Sequence, residues 1–296
     1  MNTRAMRWII ILVFSVYPAL MSAQNTLVIA EQYIAAGAYE KAENALLEAL
    51  DTKPDARLRS MLGEVYGYQL QWDKAMDVYR ELTIDYPQDP QYRFRYGGVL
   101  AKKAQNSNPF IALSLLGRIK ASFKKTLVLA PDHLGAHWAL IDLYVSLPGV
   151  VGGSMTKAYD YANALKKLSA IDGYLALGYV YEYDGEQDEA RKNYIEALKL
   201  LDDLKVIERN QLNYQIGKIC SELDLEMDRG ILHLKEYTKQ YTVLDGVPLE
   251  WAYYRLAKIY RKKSNKDEAM MWIDKSLKLS PDLKPALKEK LAIDRL

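Results

Sequence analysis

The chain is predicted to be all-α, a solenoid of stacked antiparallel helix pairs, and three observations predict it. The segment "AEQYIAAGAYEKAENALLEALDTKP", ending at Pro54, recurs as "LGEVYGYQLQWDKAMDVYRELTIDYP", ending at Pro87, a period of 33 that marks a solenoid. Apolar and small residues recur at i, i+3, i+4 and i+7 on either side of a Gly or polar break, as in two helices joined by a tight turn. Small residues also hold fixed places, with Gly63, Gly97, Gly178 and Gly217 late in first helices and Ala42, Ala75, Ala158, Ala190 and Ala269 early in second helices.

In chain order, the helix pairs span residues 23–55, 56–89, 90–133, 134–170, 171–204, 210–244 and 250–283, followed by a terminal helix at 284–296. Pro54, Pro87, Pro131 and Pro281 stop second helices, because proline lacks an amide hydrogen and disfavours helix in the residue before it. The series Tyr33, Tyr66, Leu100, Tyr144, Tyr181, Cys220 and Tyr260 fills the space where one pair leans on the next. The third pair carries an extra stretch around "AQNSNPF", and the sixth has Gly230 where Ala is usual. The last segment places Leu283, Ala286, Leu287, Leu291 and Ile293 on a stripe suited to capping the final pair.

These residues resemble the tetratricopeptide repeat family, whose pattern is a Trp-like position, Leu-Gly, Tyr, then Ala, an aromatic, Ala and Pro. Five pairs match well; those at 90–133 and 210–244 are degenerate. The resemblance implies a right-handed superhelix whose first helices line an inner groove. It also implies a non-enzymatic protein- or peptide-binding scaffold. At the groove-facing positions stand Tyr68, Phe94, Trp138, Tyr179, Tyr183, Tyr214, Trp251 and Tyr254, a high density of aromatics. Glu31 and Glu64 lie on the same positions near one end, and Lys218, Lys258, Arg261 and Lys262 near the other, where they are expected to grip an acidic part of a partner. The Lys and Asn pattern of the family's carboxylate clamp is absent. A binding protein for a small apolar ligand or cell-wall glycan is the alternative, since stacked Tyr and Trp also suit lipids and sugar rings.

Residues 1–23 carry Arg4 and Arg7, an apolar run from Trp8 to Leu20 and then small and polar residues, the pattern of a secretory signal peptide. The run is short against the roughly 20 apolar residues that cross a bilayer. The expectation is therefore export, most simply to a bacterial periplasm, with no stable membrane insertion after cleavage. An uncleaved anchor is the alternative. Residues 24–296 then form one solenoid domain with 38 Lys and Arg against 38 Asp and Glu, which argues against a nucleic-acid partner.

Little in the chain suggests chemistry. His133 and His137 are four apart, a spacing that can hold a metal, but the Glu of a zinc-protease helix is missing. The stretch "LPGVVGGSMTKA" fails the phosphate-loop pattern and reads as a lengthened turn, with Ser154 capping the next helix. Cys220 stands alone on the core-facing stripe. No catalytic residue, metal site or cofactor is expected.

Overall fold

The computed structural model describes residues 24–203, 209–243 and 245–296; the predicted signal peptide lies outside the described residues. Among the described residues the chain is helical throughout and divides by internal contacts into two compact units, up to Ala130 and from Pro131 onward. The first unit holds α1 (24–35), α2 (Tyr39–Thr52), α3 (Ala56–Tyr68), α4 (Trp72–Asp85), α5 (Pro90–Gln105) and α6 (Pro109–Leu129). The second holds α7 (Leu134–Ser146), α8 (Met155–Leu168), α9 (Ala170–Asp184), α10 (Gln187–Lys199), α11 (Asn210–Leu223), α12 (Met227–Gln240), α13 (Leu249–Lys262), α14 (Lys266–Leu279) and α15 (Lys284–Asp294). Within each unit every helix packs mainly on its neighbours in sequence, and in the second unit α7 also meets α9, α11 meets α13 and α13 meets α15.

The ends of these helices follow from their sequence. Each of Pro54, Pro87, Pro131 and Pro281 stands two residues beyond the last helical residue, and the residues before them, Lys53, Tyr86, Ala130 and Ser280, have left helical geometry. New helices begin where a side chain accepts their first amides: Asp55 from Arg57 at 2.7 Å, Asp89 from Gln91 at 2.7 Å and Asn265 from Glu268 at 3.2 Å. The extra residues of the third pair become helix rather than loop. Asn108 caps α6 and Pro109 takes its first position, so α6 runs for 21 residues against 14 in α4.

One crossing point within each pair sets how closely its helices approach. A Cβ added at Gly63 would come within 2.8 Å of the Tyr79 ring, one at Gly97 within 2.8 Å of Phe123, one at Gly178 within 2.4 Å of Tyr194, and one at Gly217 within 2.2 Å of Leu234. The first helix thus gives up its side chain to admit a large one from the second. In the same register stand Ala30 with Leu46 and Ala257 with Ile273, small against large and all fully buried. The pair formed by α7 and α8 reverses the order, with Ile141 on the first helix and Ala162 on the second, both fully buried. Total volume is kept while its source changes, the condition for close packing without a void.

Helix α15 packs on α13 and α14, and Ala286 and Ile293 join a core containing Leu256, Ile259 and Ile273. The stripe differs from the expected one. Leu287 and Leu291 face solvent, and the buried face instead includes Glu289, which forms an ion pair with Arg261 of α13. That ion pair turns the helix so that its carboxylate points inward.

Gly178→Val is expected to destabilise the protein by about 1–3 kcal/mol through overpacking against Tyr194. Adding Tyr194→Ala to it should recover part of the loss, so the pair is non-additive in denaturant melts. Strictly additive losses would show that the two positions do not share one space.

Candidate functional site

The first helices of the second unit, α7, α9, α11 and α13, are tied to one another by polar side chains spaced about one repeat apart. The Tyr179 hydroxyl donates to Asp142 at 2.7 Å, and the Lys218 ammonium donates to Glu182 at 2.8 Å while lying 5.1 Å from the centre of the Tyr179 ring. Tyr194 of α10 donates to the same Glu182 at 2.8 Å. Further along, Glu222 accepts from both Arg255 and Lys258, the latter at 2.5 Å, and Arg255 Nε donates to the Tyr214 hydroxyl at 3.0 Å. Lys262 reaches Asp224 at 2.6 Å. The result is a ladder of phenols, ammonium groups and carboxylates across successive repeats.

Of the aromatics predicted to face a partner, Trp138 and Tyr214 are only 5% and 4% exposed, which corrects their placement on an open surface. The reason is chemical. Trp138 donates its indole N–H to the buried Asp172 at 2.8 Å, a carboxylate that also binds Arg209, and Tyr214 accepts from the buried Arg255. In the first unit Phe94 is half-buried against Phe123, with ring centres 5.7 Å apart, and Tyr68 stacks on Tyr39 at 5.1 Å. Four of the predicted rings reach solvent in the second unit. Tyr183, 52% exposed, meets the edge of Tyr179 at 4.9 Å, and the half-buried Trp251 and Tyr254 lie 6.1 Å apart.

The predicted cationic end is likewise built differently from a row of open charges. Lys218, Lys258, Arg261 and Lys262 each pair with a carboxylate, Glu182, Glu222, Glu289 and Asp224 respectively. Sequence reading missed these acids and Arg255. The signal was present in the spacing, since Glu182 and Glu222 stand 36 residues before Lys218 and Lys258, about one repeat apart.

The remaining candidates have structural roles. His133 Nδ1 accepts from the Ala136 amide at 3.1 Å and so caps α7, while His137 Nε2 donates to the Pro131 carbonyl at 2.9 Å. Among the described residues no cluster of His, Cys, Asp and Glu is arranged to hold a metal. The glycine-rich stretch is a turn in which Gly152 takes φ +90° and Ser154 accepts from the Lys157 amide at 3.3 Å. A side chain at Gly153 would strike the Leu147 carbonyl oxygen at 1.7 Å. Cys220 is fully buried beside Gly230, and burial pushes its thiol up to about 12.

Sequential helix pairs, each closed by a small-against-large crossing and four of them ended by a proline, define a helix-pair repeat array. The family model for the tetratricopeptide repeat matches residues 171–200 and 252–283. Those two segments are tetratricopeptide repeats. A solved tetratricopeptide repeat protein from Parabacteroides merdae is similar over 92% of this chain and 99% of its own, at 12% identity and TM-score 0.53. TTC0263, a tetratricopeptide protein of Thermus thermophilus, is similar over 72% of this chain and 97% of its own, at 17% identity and TM-score 0.50. The human IFIT1 dimer, solved with m7Gppp-AAAA, is similar over 87% of this chain and 55% of its own, at 16% identity and TM-score 0.53. At these identities the likeness establishes the fold alone. No curated protein matches the chain.

Within the ladder, burial pulls the Lys218 ammonium below its ordinary value against the opposing pull of Glu182. Burial alone would raise the Glu222 carboxyl, but the charges of Arg255 and Lys258 outweigh it and hold its pKa below the ordinary 4.5. A carboxylate depressed in the folded state contributes stability that is present above 4.5 and lost as pH falls through its folded value. Glu222→Gln should therefore melt at a lower temperature than the parent at neutral pH. The two melting curves should converge as pH falls below 4.5, and a constant gap down to strong acid would refute the coupling.

Proposed function

We propose that the chain is a non-enzymatic binding protein whose second unit holds a partner polypeptide across α7, α9, α11 and α13. The observation that carries this reading is the pair of solvent-reaching ring clusters, Tyr179 with Tyr183 and Trp251 with Tyr254. Rings held by neighbours lose little side-chain freedom on binding, so they suit anchor positions. Between them Lys218 pairs with Glu182 and Lys258 shares Glu222 with Arg255, which makes the bed between the rings polar with its charges largely paired. Such a surface favours apolar side chains and the amide groups of an extended chain over a strongly acidic partner. Tyr68 and Phe94 are proposed as contacts of the same kind, offered by the first unit on its own.

Tetratricopeptide arrays are commonly scaffolds for protein interaction, which supports the class of activity. Arg4, Arg7 and the apolar run from Trp8 to Leu20 support an exported, periplasmic setting in the cell envelope. The test is crosslinking and capture of partners from native envelopes, followed by calorimetry with the captured partner. Tyr183→Ala combined with Trp251→Ala and Tyr254→Ala should weaken binding by about 2 kcal/mol or more. Unchanged affinity in the folded variant would place the binding surface elsewhere.

A further inference from the structure

The third helix pair differs from all others in charge. Residues 90–131 contain Arg93, Arg95, Lys102, Lys103, Arg118, Lys120, Lys124 and Lys125 and no Asp or Glu, leaving 32 basic against 38 acidic residues in the rest of the chain. Two of these cations are matched by acids of the preceding pair, Arg95 by Glu64 at 3.3 Å and Lys103 by Asp73. Arg118 bonds the Tyr96 hydroxyl and lies 5.6 Å over its ring. Lys124 and Lys125 are exposed on α6.

The outward face of α6 is as unusual as its charge. At 3.6 residues per turn, Phe110, Leu113, Ser114, Gly117, Ala121, Lys124 and Val128 fall on one side, opposite the buried Leu115, Ile119, Phe123 and Thr126. All seven are exposed, Phe110 to 85% and Val128 to 70%. Arg118 and Lys125 flank this strip on one edge and Lys120 on the other, with Lys124 within it. Among the described residues, the second helices α2, α4, α8, α10, α12 and α14 each carry at least one exposed acid, for example Asp77, Asp160, Asp188 and Asp274. Helix α6 has none along roughly 27 Å from Phe110 to Val128.

We infer that the outward face of α6 is a peripheral docking surface for an anionic lipid bilayer. An acid-free strip complements a negative lipid surface, and small residues at its middle, Gly117 and Ala121, let the helix lie flat. Phe110, Ile111, Leu113 and Val128 supply apolar groups that enter the headgroup boundary, while flanking lysines extend along the surface to lipid phosphates. A soluble polyanion would use the cations but give no reason for the exposed Phe110 and Leu113. The contact lies on the surface. No described helix is long and apolar enough to cross a membrane.

The experiment is flotation of the full chain with vesicles of phosphatidylcholine alone and with about one quarter phosphatidylglycerol. The apolar run at residues 8–20 is common to every protein compared, so the readout is the difference among variants. The parent should float with anionic vesicles in a salt-sensitive manner, and Lys124→Glu with Lys125→Glu should weaken this by roughly thirtyfold. Phe110→Ser with Leu113→Ser, which alters only exposed side chains, should weaken it by about tenfold or more. Variants that retain parental melting and float as the parent does would overturn the inference. So would sensitivity to the charge reversal alone together with equal binding to an oligonucleotide or acidic peptide, an outcome that assigns the face to a soluble polyanion.

Discussion

Two helices joined by a turn can bury their apolar faces only as deeply as their crossing point allows, and every pair resolves this by matching volumes there. Tyr79, Phe123, Tyr194 and Leu234 press onto glycines, and in the same register buried alanines, Ala30 and Ala257, accompany buried Leu46 and Ile273. Where the first helix keeps a large residue, Ile141, the second retreats to Ala162. The close approach brings the first helices of successive pairs within side-chain reach of one another, and the polar ladder of the second unit depends on that reach. Dense interiors transmit such constraints because they leave little space to absorb an error.

Much of this was legible in the sequence. Gly63, Ala75 and Pro87 recur at nearly fixed intervals because each has one local reason to be there, and a local reason repeats with the unit. The helix start at Ser154 was equally legible. The fate of a side chain on the inner face was harder to read. Its position in the repeat says which way it leaves the helix, but burial depends on what the next repeat brings opposite it. Trp138 is buried because Asp172 lies within reach, and Tyr214 because Arg255 does. Those separations are 34 and 41 residues, so a fixed period does not find the partners. At the terminal helix a stripe drawn from apolar residues alone included Leu287 and Leu291, whereas the attraction of Arg261 for Glu289 chose a neighbouring face.

The two units handle charge in opposite ways. In the second, cations and carboxylates alternate across the seams and cancel locally, so the inner face is held in shape without acquiring a sign. Removing either member of such a pair leaves its partner in a partly buried setting, which is why paired charges fix geometry more than they add stability. In the first unit, the third helix pair concentrates positive charge and leaves its compensation to the rest of the chain. A near-neutral total therefore conceals a strongly polarised surface, and net charge alone is a poor guide to what this protein meets.

The terminal helix carries a consequence for self-association. Its outer face presents Leu287 and Leu291 to water, an arrangement that in isolation invites a second copy to cover them. Lys284 and Lys288 are exposed on the same helix. Two copies meeting through these leucines in a symmetric contact would bring like charges together at the same moment, and such a juxtaposition opposes the union. The outer face of α15 is thus guarded by repulsion, a shield whose strength fades as ionic strength rises.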